Sequence, residues 1–155
     1  MKGRMHPLIR EYQNQDKSRL EHLMLLNVPQ YFDRSEVDDF MRYLEEERES
    51  YWVVEVDSQV VACGGVNFPD LKTGRISWDL VHPDFQGKGI GRLLLNFRLK
   101  FLKESACDRV EVRTSQFTEG FYQKNGFHTV FTKPNYWSEG YDLYHMEREL
   151  HEIDF

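Results

Sequence analysis

The chain has little that would staple it or hold a metal. Two cysteines in 155 residues, Cys63 and Cys107, make no disulfide framework and no C-x-x-C motif, and neither has a histidine at ligand spacing. The six histidines are scattered, with no H-E-x-x-H; His145 and His151 stand six apart, which does not stack on one helical face. No metal is expected. Apolar runs such as Leu23–Leu26 fall far short of the ~18 residues of a membrane span. After Lys2 and Arg4 only Leu8 and Ile9 precede Arg10 and Glu11, so neither a signal peptide nor a membrane partner is expected, and the free thiols fit a cytoplasmic setting. Basic residues are in deficit: Lys and Arg total 20 against 26 Asp and Glu, a formal charge of −6. That argues against nucleic acid, whose footprint is a basic face, and tilts toward a cationic small molecule or basic peptide. Repeats, low-complexity tracts and linkers are absent too.

What is there is a core. The composition is 40% hydrophobic and 14% aromatic, too apolar for a disordered tail. The length fits one domain over residues 1–155, large enough to bury about 68–70% of its unfolded surface. Leu8–Tyr12 is a short strand candidate. A helix carrying Leu20, Leu23 and Met24 follows, closed by Pro29; a second has Val37, Phe40, Met41 and Leu44 at intervals of three and four. Tyr51–Val56 and Val60–Phe68 read as a hairpin, and Gly64-Gly65 inside it marks a bulge or a close backbone approach. Arg75–Val81 is a further strand. From Gly89, Ile90, Leu93, Leu94, Phe97 and Phe101 trace one face of a long helix, widened by Leu95, Leu99 and Leu102. Val110–Thr114 is a strand and Thr118–Asn125 a short helix stopped by Gly126. Phe127–Thr132 and Tyr141–Arg148 close the chain as a hairpin around a loop at Pro134–Gly140. The order β-α-α-β-β-β-α-β-α-β-β predicts an α/β fold: a mixed sheet with helices on both faces.

The most informative stretch is Val81-His82-Pro83-Asp84-Phe85-Gln86-Gly87-Lys88-Gly89-Ile90-Gly91-Arg92. A strand ends, a glycine-rich turn follows and a long helix starts. Free N–H groups at a helix start carry about half a positive charge, and glycines let a diphosphate approach that backbone. Other phosphate motifs fail on spacing. A Walker loop needs Ser or Thr after its lysine, and Gly89 follows Lys88; the dinucleotide fingerprint would put its third glycine on Arg92. What remains is Gln86-x-x-Gly89-x-Gly91. A second stretch, Phe121-Tyr122-Gln123-Lys124-Asn125-Gly126-Phe127, taken alone is a short helix with a glycine stop and core aromatics.

Together the two stretches resemble the GNAT superfamily of acetyl-CoA-dependent N-acetyltransferases. Gln86-x-x-Gly89-x-Gly91 is similar to its coenzyme diphosphate loop and Phe121-Tyr122-x-Lys124-x-Gly126-Phe127 to its second signature. The resemblance implies a mostly antiparallel sheet whose strands Arg75–Val81 and Val110–Thr114 splay at one end. The pantetheine of acetyl-CoA would pair with the first of these near Leu80 and Val81. Gln86, Gly87, Lys88, Gly89, Ile90 and Gly91 would hold the diphosphate, with Ser115 beside the coenzyme. It implies direct attack of an amine on the thioester. Tyr122 matches the family's frequent general acid, its neutral phenol (reference pKa about 10) facing a leaving thiol of about 8.5. A peptide α-amine costs roughly 1.4 kcal/mol to deprotonate at pH 7 and a lysine roughly 4.6, so the latter calls for a carboxylate. Glu111 and Asp79 are the candidate bases. The acceptor, a small-molecule amine or a peptide N-terminus or lysine, would lie between Tyr31, Phe32 and Asp33 on one side and Asn135, Tyr136 and Trp137 on the other. The alternative is a non-catalytic acyl-CoA-binding sensor. A homodimer through the C-terminal strands is compatible with either.

Overall fold

The computed structural model describes residues 5–155. Its centre is a seven-stranded sheet built from β1 (Leu8–Glu11), β2 (Ser50–Val56), β3 (Gln59–Asp70), β4 (Thr73–Val81), β5 (Arg109–Thr114), β6 (His128–Ser138) and β7 (Tyr141–Glu149). The strand order is β1-β2-β3-β4-β5-β7-β6, and every neighbouring pair is antiparallel except β4 and β5. Both faces carry helices. On one side α3 (Ile90–Glu104) and α4 (Glu119–Lys124) pack with Trp52, Val54, Ile76, Val110 and Val112. On the other, α1 (Lys17–Leu25) and α2 (Glu36–Arg42) pack with Tyr51, Val53, Cys63 and Leu80. Side-chain alternation along the strands sorts these residues into the two cores.

Three elements depart from the sequence expectation. The second helix leaves α geometry at Arg42 and continues as a π turn, Tyr43–Glu47, which turns both Tyr43 and Leu44 into the core. The buried stripe of α3 is centred on Leu94, Leu95, Arg98, Leu99 and Leu102, while Leu93 and Phe97 stay partly in solvent. The expected loop Pro134–Gly140 is mostly strand: β6 runs to Ser138, and a register shift between Lys133 and Ser138 absorbs the proline and asparagine. Asn135, at φ 54°, accepts the Gly140 N–H at 2.8 Å and gives its own N–H to Asp142 at 2.9 Å. Those two bonds let turn-forming residues continue the ladder. The edge strand β6 is exposed along most of its length.

Candidate active site

Among the described residues the one parallel strand pair, β4 with β5, is also the place where the sheet opens. β4 and β5 are paired from Thr73–Arg109 to Ile76–Val112, and no pairing continues beyond. From Ser77 onward the β4 edge facing β5 is free, and a cleft of about 850 Å³ runs through the gap. Just past the divergence Trp78 adopts φ 49°, a left-handed conformation costly for a bulky residue. Two contacts hold it there: the Tyr51 hydroxyl donates to the Trp78 carbonyl at 2.7 Å, and the indole packs on Phe40 with ring centroids 5.3 Å apart. The β3–β4 register shifts opposite, between Cys63 and Gly65. This bulge reverses the phase of β4. Gly74 and Ile76 face α3, and strict alternation would turn Asp79 toward α2; with the extra residue Asp79 faces α3 instead.

There it meets two partners. The Tyr122 hydroxyl, on α4, donates to Asp79 Oδ2 at 2.5 Å, and Arg98, on α3, pairs with Asp79 Oδ1. Arg98 is fully buried; its guanidinium also donates to the Gly65 carbonyl at 3.1 Å and to the Leu94 carbonyl at 3.2 Å. Gly64 makes the room: a Cβ there would strike both Asp79 Oδ1 and Arg98 Nη1. Burial, with the Asp79 charge adding to it, pushes the Tyr122 phenol well above its usual range, so Tyr122 is a protonated donor at neutral pH. Cys63, on β3 opposite Leu80, is pushed up to about 12 by burial and is no thiolate nucleophile.

At the end of β4 the chain turns through Pro83–Phe85 into Gln86–Gly89. Gly87 and Gly89 have φ 74° and 86°, and a Cβ on either would meet nothing within 4 Å, so glycine is there for backbone conformation rather than for space. The first helical bond of α3 runs from Leu93 N–H to the Gly89 carbonyl at 2.9 Å, and the N–H groups of Gly87 through Arg92 have no partner among the described residues. That row of donors, at the N-terminus of a 15-residue helix, has the geometry of an anion cradle. The Gln86 side chain turns away from it. Its amide donates to the Val81 carbonyl at 3.1 Å and to Asn27 Oδ1 at 3.4 Å, and its oxygen accepts from the Tyr31 hydroxyl at 3.0 Å. Gln86 therefore ties the loop to the strand end and to the α1–α2 connection.

Residues 17–127 match the acetyltransferase (GNAT) family. The chain belongs to that family. An amino-acid acetyltransferase of Photobacterium profundum is 33% identical over 82 residues, 52% of this chain and 19% of that relative. The matched part is thus about a fifth of such relatives' length. Among solved structures, the ribosomal-protein-S18-alanine N-acetyltransferase of Escherichia coli has a TM-score of 0.78 at 16% identity, covering 97% of this chain and 100% of its own. The N-acetylglutamate synthase of Neisseria gonorrhoeae, complexed with coenzyme A and N-acetyl-glutamate, has a TM-score of 0.71 at 18% identity, covering 96% of this chain and 36% of its own. These two likenesses establish the fold. No helix among the described residues is long and apolar enough to cross a membrane.

Within the GNAT cleft the expected residues fall into groups. Leu80, Val81, Gln86, Gly87, Gly89, Gly91, Ser115, Asp79 and Tyr122 line it. Lys88 sits at the loop with its ammonium 5.3 Å from the Phe85 ring, and the Ile90 side chain is buried in the core, so each reaches the cradle through its backbone. Glu111 is not brought to Tyr122. Register places it opposite Arg75 while β4 and β5 are still paired, and Arg75 Nε donates to Glu111 Oε2 at 2.8 Å on the face away from α3. Of the residues expected to face the acceptor, Tyr31, Phe32 and Trp137 line the cleft, whereas Asp33 bonds Ser35, Asn135 is held in its turn and Tyr136 receives Arg113 at 3.2 Å. Sequence reasoning missed Arg98. The signal was present: a lone cation four residues from Leu94 and from Leu102, at the centre of an apolar stripe.

Sequence reasoning also missed Glu36, which lines the cleft from the start of α2. Burial, together with the charges of Asp33 and Asp39 and against the Asp33 N–H it accepts at 2.9 Å, raises its carboxyl to about 7. A carboxyl that keeps its proton to higher pH folded than unfolded weakens the fold as pH rises from about 4.5 to about 7. Glu36→Gln is therefore expected to melt a few degrees above the wild type at pH 8, on the order of 1–2 kcal/mol after screening, and no higher at pH 4. Scanning calorimetry at the two pH values checks it; an equal gain at both would show that charge is not the cause.

Proposed function

We propose that residues 1–155 form one N-acetyltransferase domain that moves the acetyl group of acetyl-CoA to an amine by direct attack. The observation that carries this reading is the row of unpartnered N–H groups from Gly87 to Arg92 beside the free edge of β4. Those donors suit the coenzyme diphosphate, and the β4 edge suits the amides of its pantetheine arm, by the same main-chain pairing that adds a strand to a sheet. The thioester would then reach the gap where Tyr122 and Asp79 meet. The amine nitrogen attacks the thioester carbonyl, a C–N bond forms and the C–S bond breaks. Nitrogen loses one proton and sulfur gains one.

Tyr122 is the proton donor to the departing thiolate in this reading, and Asp79 is the carboxylate placed to serve the amine's proton; Glu111 is engaged by Arg75. The names of the relatives span amino-acid and protein acceptors, all amines, and the acceptor here is of that kind. The reaction needs no metal, and buried free thiols suit a cytoplasmic setting. The test is release of free thiol from acetyl-CoA across a library of amino acids, polyamines, amino sugars and peptide N-termini. Amine-dependent release with a mass gain of one acetyl group supports the reading. Coenzyme binding with no release across the library would favour a sensor instead.

A further inference from the structure

As a direct acid Tyr122 has a difficulty: its proton is already committed. The phenol donates to Asp79 Oδ2 at 2.5 Å, so what it turns to the cleft is its oxygen lone pairs. A group in that state accepts a proton from the cleft before it gives one. Beside it Asp79 can receive the phenol's own proton, while its other oxygen is held by Arg98, a guanidinium sealed from solvent and fixed by the Gly65 and Leu94 carbonyls. The fold provides for this three-residue chain at several points: the left-handed Trp78, the missing Cβ of Gly64, and a buried charge in the stripe of α3. An ion pair of this kind seldom stabilises a fold more than apolar residues of the same volume would, so stability alone does not explain it.

We infer that Asp79 stores a proton for the reaction and exchanges it through the Tyr122 hydroxyl, to which it is hydrogen-bonded, with Arg98 the positioning residue that fixes its carboxylate. The inference rests on the acetyltransfer reading and extends it. As the amine attacks, its N–H proton passes to the Tyr122 oxygen and the phenol proton passes to Asp79 Oδ2. As the C–S bond breaks, the Asp79 proton returns to Tyr122 and the phenol gives one to the thiolate. One proton has moved from nitrogen to sulfur, the chain is restored, and no other reactant is consumed. Asp79 and Arg98 touch no substrate in this scheme; both act through the phenol.

A double-mutant cycle on the full chain tests it. Asp79→Asn still accepts the phenol's hydrogen bond but stores no proton. Its kcat is expected to fall at least 100-fold, with acceptor KM and acetyl-CoA Kd within threefold of wild type. Because the residues act as one unit, Tyr122→Phe with Asp79→Asn should be no slower than the worse single variant. Arg98→Lys, which keeps the charge and loses the fork, should retain part of kcat at unchanged KM. Should Asp79→Asn fail to fold, Asp79→Asn with Arg98→Gln removes both charges of the pair and takes its place, with the same expected loss. A double variant slowed by the product of the two single effects, or an Asp79→Asn enzyme keeping half its turnover, would overturn the inference. Tyrosine Cζ carbon resonances give a readout without turnover. The signal lost in Tyr122→Phe should shift in Asp79→Asn, and an unmoved signal overturns the inference whether or not an acceptor is known. Absence of acetyl-CoA binding to the wild type, with that signal shifting as expected, would instead remove the acetyltransfer reading.

Discussion

Tyr122→Phe is expected to lower kcat by about 100- to 10,000-fold, the range of positioned proton transfer, while the acetyl-CoA Kd changes less than threefold. The phenyl ring fills the same volume between Phe121 and Phe127, whose centroids lie 5.1 and 5.5 Å from that of Tyr122, so the packing of α4 is retained. What is lost is one hydroxyl. Its removal leaves Asp79 paired with Arg98 but short of one donor, a loss of about 1–3 kcal/mol of stability that a melting curve will register. The separation of kcat from Kd is the informative part. A hydroxyl that only oriented the sulfur would cost less than tenfold; a ring needed to shape the coenzyme site would raise Kd. Stopped-flow thiol release beside equilibrium titration distinguishes the three outcomes.

The second large effect is expected at a residue that carries no chemistry. Gly64→Ala places a methyl group on Asp79 Oδ1 and on the Arg98 guanidinium, both confined between β3, β4 and α3. Arg98 has no exposed volume to move into, being held by two carbonyls. Overpacking at such a site costs about 1–3 kcal/mol, and separating the buried pair would add to it. Turnover should fall at least tenfold because Asp79 is displaced from Tyr122. Gly91→Ala is the control: its Cβ would lie 3.4 Å from Phe121, ordinary contact, and the melting temperature should stay within a few degrees of wild type. A Gly64→Ala protein with wild-type stability and rate would show that Asp79 and Arg98 adjust freely, against the account of a fixed pair.

Most of the architecture could be read before any coordinates. Apolar spacing located α1, α3 and the strand pairs because the burial of each element on one face or both is written in period. The two glycine-bearing stretches, Gln86–Gly91 and Tyr122–Gly126, pointed to the candidate site, and three of their glycines mark a backbone requirement: φ 74° at Gly87, 86° at Gly89 and 90° at Gly126. The arrangement around Asp79 was not legible. Its direction depends on a bulge at Trp78 that is stabilised from outside the strand, by the Tyr51 hydroxyl and the Phe40 ring, and strict alternation points the carboxylate the wrong way. Glu111 failed as a partner of Tyr122 for the converse reason: β5 is regular there and still paired, so parity and register hand it to Arg75. Reading α3 for apolar residues alone discarded Arg98. Long-range contacts, rather than local propensity, decide all three.

Binding of acetyl-CoA is the point on which the account stands, and titration calorimetry of the full chain measures it directly. The wild type should bind one equivalent with a dissociation constant in the micromolar range. Gly89→Val, whose side chain is incompatible with φ 86° and would force the cradle to rearrange, should bind at least 100-fold more weakly. No heat with the wild type at millimolar coenzyme, or equal affinity in Gly89→Val, would contradict it.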